Sequence, residues 1–161
     1  MQSMDTTDTT APDRHAALRQ GRVSLPHHVY HVTVTTQARR KVFGEFDAAC
    51  AAARSFETAA LHGDAELLAW VLMPDHVHWL LQLGAQDSLS AVVSRLKSAS
   101  ARAANRADGR KGALWSRAYH DHALRSDEDL RTVARYIVGN PMRAGLVARA
   151  GDYPFWNAVW L

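Results

Sequence analysis

The pattern of hydrophobic and polar positions divides the chain into short blocks of strand and helix character. Residues 28–35 (HVYHVTVT) are rich in β-branched and aromatic side chains and read as a first strand. A polar, basic turn over 37–41 follows. Residues 46–62 are rich in alanine, and Phe46, Ala49, Cys50, Ala53, Phe56, Ala60 and Leu61 approximate a helical stripe that Gly63 ends. Two apolar runs, 66–73 and 76–83, flank Pro74-Asp75 and predict a hairpin closed by Gly84. Ser88 opens a second helix running to about Arg106, with Leu89, Val92, Val93, Leu96, Ala99 and Ala103 on its apolar face and Arg95, Arg102 and Arg106 sharing another. After a loop over 108–112, residues 114–124 read as a fourth strand. Ser126 followed by three acids predicts a helix over 127–139, stopped by Asn140-Pro141. The remaining tail holds a short helix at most and is too aromatic, with Trp156 and Trp160, to stay in solvent; it is expected to dock on the body.

The order β-α-β-β-α-β followed by an extra helix predicts an α+β fold of the ferredoxin-like split type. It is an antiparallel four-stranded sheet, with strands one and three central and two helices on one face. The extra C-terminal helix is then free to reach the other face. Residues 1–21 are polar and without periodicity and are expected to form a disordered tail, leaving 22–161 as a single domain.

Composition narrows the class. The apolar fraction of 47% and charged fraction of 22% are those of an ordinary soluble protein with a real core. No apolar run is long enough to span a membrane, the acidic, threonine-rich start does not read as a secretory signal, and the single cysteine, Cys50, suits a cytoplasmic setting. The net charge of +3 is uneven: residues 1–89 carry 7 basic and 10 acidic side chains, residues 90–161 carry 12 and 6. Sixteen of the 19 basic residues are arginines, whose planar fork matches phosphate, although a GC-rich genome would enrich arginine equally well. Arg39, Arg40 and Lys41 after the first strand, and Arg95, Arg102, Arg106, Arg110 and Lys111 around the second helix, are candidate nucleic-acid phosphate contacts or, alternatively, solvated basic faces.

The candidate chemistry starts at His76 and His78. On a strand they point to one face, while Val77, Trp79, Leu81 and Leu83 point to the other. Taken alone, such a pair is weak evidence, since most are structural or surface residues rather than metal ligands. Tyr136 and Asn140 stand four apart on the last helix and share a face. A tyrosine hydroxyl is a possible nucleophile, and an amide oxygen suits a hard cation such as Mg²⁺ or Mn²⁺. The bland alternatives are a packing tyrosine and a helix-stopping asparagine. A second pair, His120 and His122, could complete a four-histidine zinc site, but the expected sheet order puts strand one between the pairs, roughly 10 Å apart and too far for one ion. His27, His28 and His31 are expected to have no catalytic role.

The segments MPDHVHW, YHDHALR, EDL and ARYIVGNPMRAGL, in that order, resemble the REP-associated tyrosine transposases, single-tyrosine members of the HUH endonuclease/transposase superfamily. The short HVH is loose; its combination with YIVGNPMRAGL is specific, and the likeness covers about residues 25–160. The resemblance implies that His76, His78 and Asn140 are metal ligands and that Tyr136 is the nucleophile. It also implies that the protein is a metal-dependent single-strand DNA endonuclease and strand transferase, acting on hairpin-forming repeat (REP palindrome) DNA through a 5′-phosphotyrosine. Arg135 and Arg143, beside this site in sequence, are candidates to help ionise the phenol, and Arg143 is also a candidate DNA contact. Relatives include both monomers and homodimers. The short link after strand four, Arg125-Ser126, suits a tyrosine acting on its own subunit's site. A non-catalytic nucleic-acid-binding module on the same scaffold is the alternative from a different class.

Overall fold

The computed structural model describes residues 24–161; the tail expected over 1–21 lies outside the described residues. The elements are β1 (Val29–Thr35), α1 (Phe46–Phe56), α2 (Ala59–His62), β2 (Glu66–Met73), β3 (His76–Gln82), α3 (Leu89–Asp108), β4 (His120–Ala123), α4 (Leu130–Val138), α5 (Asn140–Arg143) and β5 (Trp156–Ala158), with short 3₁₀ turns between some of them. The strands form one antiparallel sheet in the order β4-β1-β3-β2-β5. The α+β class and the central placing of β1 and β3 agree with the expectation. The fifth strand does not belong to the four-stranded ferredoxin-like plan, so that description is approximate.

Each strand sorts its side chains between two cores. On one face Tyr30, Val32 and Val34 of β1, Trp70 and Leu72 of β2, and Val77, Trp79 and Leu81 of β3 pack under α1 and α3. On the other face Val29, Val71, Met73 and Leu80 pack against Ala134, Ile137 and Val138 of α4. A bulge in β2 between Leu67 and Ala69 lets two successive residues, Leu68 and Ala69, enter this second core. With both faces covered, β2 reads as a continuous apolar run rather than an alternation.

Three boundaries differ from the sequence pattern. The helix expected over 46–62 breaks at Thr58, which is extended; Glu57 there accepts hydrogen bonds from Trp70 Nε1 (2.6 Å) and Asn157 Nδ2 (3.1 Å), tying the break to β2 and β5. The strand expected over 114–124 is only His120–Ala123. Its first part is pulled into the first core by Trp115, whose Nε1 donates to buried Ser100 Oγ at 3.0 Å, while Lys97 Nζ holds the carbonyls of Ser116 (2.7 Å) and Arg117 (3.1 Å). The helix expected from 127 begins at Leu130. Asp129, not Ser126, is its N-cap, accepting from the backbone N–H of Arg131 and Thr132 at 3.2 Å each. The link from β4 to α4 is therefore residues 124–129, longer than expected.

The tail docks as expected. β5 pairs with the β2 edge, Phe155 O accepts from Leu72 N at 2.9 Å, and Tyr153 Oη donates to Leu72 O at 2.6 Å. Phe56 is the hub of the first core, with Trp70 and Trp79 set edge-on to its ring at centroid distances of 5.2 and 5.3 Å. Phe56→Ala is expected to lower unfolding free energy by about 3–5 kcal/mol in urea titration, through lost burial and the cavity left behind.

Candidate active site

The second face of the sheet carries a row of imidazoles. His76 and His78 alternate with the buried Val77 and Trp79 on β3, and their rings lie edge to face with centroids 4.9 Å apart. Thr33 of β1 pairs with His78 and Thr35 with His76, so the β1 residues of the same parity share the histidine face. His31 is one of these. Its Nε2 lies 3.0 Å from His78 Nδ1, and Thr33 Oγ1 lies 3.0 Å from the same atom. On the far side of β1, His122 pairs with His31 and His120 with Thr33.

The Nδ1 atoms of both β3 histidines are therefore engaged from behind. Asp75 Oδ1 lies 2.7 Å from His76 Nδ1, and His78 Nδ1 is held by β1. This leaves the Nε2 atoms as the ends not engaged from behind; at His76 the carboxylate can only accept, so Nδ1 carries its proton, the arrangement in which a carboxylate behind a ring orients it for metal ligation. Burial, reinforced by the charges of His76, His31 and Arg143, pushes His78 down to about 3, so its ring is neutral at neutral pH. His31 is also lowered, by burial and then by His122. Burial pushes the Asp75 carboxyl up, but its hydrogen bond and charge interaction with His76, helped by Arg39, outweigh this and hold it below the usual carboxylate value.

α4 covers the neighbouring part of the same face. Ala134, Ile137 and Val138 bury into the second core, and Tyr136 stands 60% exposed at the edge. It lines a cleft of about 300 Å³ with His31, His122, Leu124, Glu128, Thr132 and Val133. Asn140-Pro141 was expected to end the helix. Instead the backbone continues through Gly139 into α5, with Arg143 N donating to Gly139 O and Ala144 N to Asn140 O. Pro141 has no N–H to give the carbonyl of Ile137 four residues back. Asn140 Nδ2 supplies the donor instead, at 2.9 Å. A carbonyl can only accept, so the amide nitrogen faces Ile137 and Oδ1 is the outward, ligand-capable end.

The candidate cations fall into different places. Arg39, Arg40 and Lys41 form an exposed loop beside the histidines, with Arg39 Nη1 3.5 Å from Asp75 Oδ2 and Arg40 Nη2 donating to Ala113 O at 3.1 Å. Arg143 lies over the Tyr136 ring. α3 packs on the opposite face, so Arg95, Arg102 and Arg106 lie across the sheet from the histidines. Arg95 is committed to Leu61 O (2.7 Å), His62 O (3.4 Å) and Asp87 (3.0 Å), so its role here is structural. Arg110 pairs with Asp108 at 2.9 Å, and Lys111 is exposed in the following loop.

His31, Thr33 and Asp75, which touch the histidine pair, are not among the candidate site residues read from the sequence, where His31 is expected to have no catalytic role. Period two along β1, together with the expected β1–β3 pairing, carried the signal for the first two; Asp75 adjoins His76 in the turn. Among the described residues no three His, Cys, Asp or Glu side chains are gathered for one ion, so the four-histidine zinc site is not formed.

The family model described as "Transposase IS200 like" matches residues 24–140. The chain belongs to the IS200-like transposase family. Its members are enzymes, and the matched segment takes in β1, the histidine strand and the tyrosine helix. A Haemophilus influenzae protein provisionally named a REP-associated tyrosine transposase is 29% identical over 142 residues, 79% of this chain and 77% of that one. The Escherichia coli K12 REP-associated tyrosine transposase is 34% identical over 92 residues, 56% of this chain and 52% of that protein. A solved REP-associated tyrosine transposase bound to a REP hairpin is 25% identical, with a TM-score of 0.63 over 84% of this chain and 79% of that one. The resemblance drawn from HVH and YIVGNPMRAGL thus holds for this IS200-like transposase.

Two half-buried imidazoles whose pKa values are both lowered have a consequence for folding. The unfolded chain protonates them near 6.5, the folded chain only at lower pH, so the unfolded state binds more protons in between and stability falls as pH falls. Urea titrations at pH 7, 6 and 5, above the range where the lowered carboxylates respond, are expected to lose up to about 1.4 kcal/mol per pH unit for His78. His78→Gln is expected to flatten that dependence.

Proposed function

We propose that this IS200-like transposase is a metal-dependent single-strand DNA endonuclease and strand transferase acting on hairpin-forming repeat DNA. The observation that carries the proposal is the histidine pair with both Nδ1 atoms held from behind, on the sheet face that α4 covers with Tyr136 at its edge. The REP hairpin bound by the structural relative supports a hairpin as the substrate class.

His76 and His78 through Nε2, with Asn140 through Oδ1, would hold a divalent cation; neutral imidazoles and an amide oxygen suit Mg²⁺ or Mn²⁺. Such an ion, when bound, neutralises charge building on the scissile phosphate. The chain's own residues do the rest. The exposed loop of Arg39, Arg40 and Lys41 adjoins the histidines through Asp75 and would take flanking phosphates, orienting the strand. Tyr136 Oη attacks phosphorus in line; the new Oη–P bond forms as the bond from phosphorus to the 3′ oxygen breaks. The phenol gives up its proton as Oη attacks and the departing 3′ oxygen takes one up, so the products are a 5′-phosphotyrosine and a 3′ hydroxyl. The phosphoester is conserved, so another 3′ hydroxyl can reverse the step and join strands. Tyr136 shares the cleft with His31, His122 and Glu128, a polar rim beside the bond being broken.

Full-length protein, a hairpin-forming single-stranded oligonucleotide with an unpaired flank, and Mn²⁺ are expected to give a covalent protein–DNA adduct on denaturing gels, absent in Tyr136→Phe. Hairpin binding without an adduct at any flank or metal would mark a non-catalytic nucleic-acid-binding module. Asp75→Asn, which weakens the hold on His76, is expected to lower Mn²⁺ affinity by about 10- to 100-fold in calorimetric titration while leaving the fold intact by circular dichroism.

A further inference from the structure

The sequence spacing placed Arg143 near the site as a cation for DNA or for the phenol. Its side chain is already occupied. The Arg143 guanidinium lies over the Tyr136 ring, Cζ 3.9 Å from the centroid, and Nη2 donates to the Tyr136 carbonyl. Helical side chains lean back toward the N-terminus, so a long residue reaches the face one or two turns before it. Residues 136, 139 or 140, and 143 form one such stripe. The path from Arg143 to Tyr136 therefore crosses Gly139. A Cβ at Gly139 would stand 2.8 Å from Arg143 Nη1. Gly139 has ordinary helical dihedrals, φ −77° and ψ −4°, so its own conformation does not require glycine, and an added Cβ would crowd Arg135 O at 3.1 Å as well as the guanidinium. The space it leaves is what the guanidinium fills.

That path exists only because the helical backbone continues past Pro141. Asn140 Nδ2 satisfies Ile137 O, and the turn through Met142 brings Arg143 back over the preceding helix. Tyr136 is otherwise an exposed side chain on a helix surface, free to change rotamer. A planar cation stacked on its face and anchored to its own carbonyl removes that freedom, and a compact ammonium would not reproduce the stack.

We propose that Arg143 is a positioning residue for Tyr136: seated in the gap left by Gly139, its guanidinium holds the phenol ring in one orientation before DNA arrives. The proposal rests on the reading of Tyr136 as the nucleophile. It makes Gly139 and Arg143 a pair, and it separates Arg143 from the loop cations that would bind phosphate.

The test uses the full chain labelled with 3-fluorotyrosine, in which Tyr136→Phe assigns one of four tyrosine signals. In Arg143→Gln the Tyr136 fluorine resonance is expected to move toward the free amino acid position and to narrow, without DNA or metal present. Gly139→Ala is expected to reproduce that change, and the double variant to add nothing further. Arg143→Lys is expected to keep hairpin affinity but not restore the resonance. With the hairpin oligonucleotide and Mn²⁺, single-turnover adduct formation by Arg143→Gln is expected to fall about 10- to 100-fold, as for a misplaced reacting group. The hairpin dissociation constant and its salt dependence are expected to stay as in the unsubstituted protein. An unchanged fluorine resonance in both Arg143→Gln and Gly139→Ala overturns the proposal. So does a loss that lies wholly in affinity, with the salt slope reduced by about 1, which would make Arg143 a phosphate contact. If the unsubstituted protein forms no adduct, the nucleophile reading fails, while the fluorine signals still decide whether Arg143 holds the ring.

Discussion

The register of β3 between β1 and β2 governs what the histidine face can be. In this register Val77, Trp79 and Leu81 enter the core under α1 and α3, and His76, His78 and Leu80 take the other face. A slip of one residue would bury both imidazoles in the aromatic core and turn Trp79 toward α4. The aromatic contacts of Trp79 with Phe56 and Trp115 therefore specify the histidine pair from the opposite side of the sheet. The same register sets Thr33 opposite His78 and brings His31 within reach of its Nδ1, so orientation of the rings comes with the pairing of the strands.

A second constraint acts on the chain that returns over this face. α4 is anchored by burying Ala134, Ile137 and Val138, and its apolar face matches a part of the sheet that offers Leu68, Ala69, Val71 and Leu80. Those contacts place Tyr136 at the edge of the second core rather than within it. The proline after Asn140 would ordinarily end the helix. The asparagine amide replaces the missing donor, and one residue thereby joins a backbone role to an outward-facing oxygen. The polar groups around the histidines are held by backbone and by neighbouring side chains before any ligand arrives, as a site must be if binding is not to be spent on ordering it.

Much of this was legible in the sequence, and the reasons for the rest are physical. The strand over His76, Val77, His78 and Trp79 carries period two in plain form, so its two faces and the placing of the extra helix could be read directly. The link between HVH and YIVGNPMRAGL was legible as a resemblance, and the family match bears it out. What could not be read were outcomes of tertiary competition. Trp115 needed a partner for its indole N–H, found Ser100, and so took the first half of the expected fourth strand into the core. Asp129 won the helix cap over Ser126. Arg95, indistinguishable in sequence from Arg102 and Arg106, is consumed by Asp87 and the carbonyls ending α2. Period two and the β1–β3 pairing put His31 on the histidine face, but its reach to His78 Nδ1 depends on the register of the two strands, which the pattern alone does not fix. β5 is three residues long, and its pairing depends on the β2 edge rather than on its own pattern.

The central claim is that the histidine pair and Asn140 form one divalent-cation site on the face carrying Tyr136. Paramagnetic Mn²⁺ titrated into isotope-labelled full-length protein tests it most directly. The account predicts that the His76 and His78 ring signals and the Asn140 side-chain amide broaden first and together, and that this selective broadening is lost in His78→Ala. Broadening centred on His120 and His122, or on the histidines without Asn140, would contradict it.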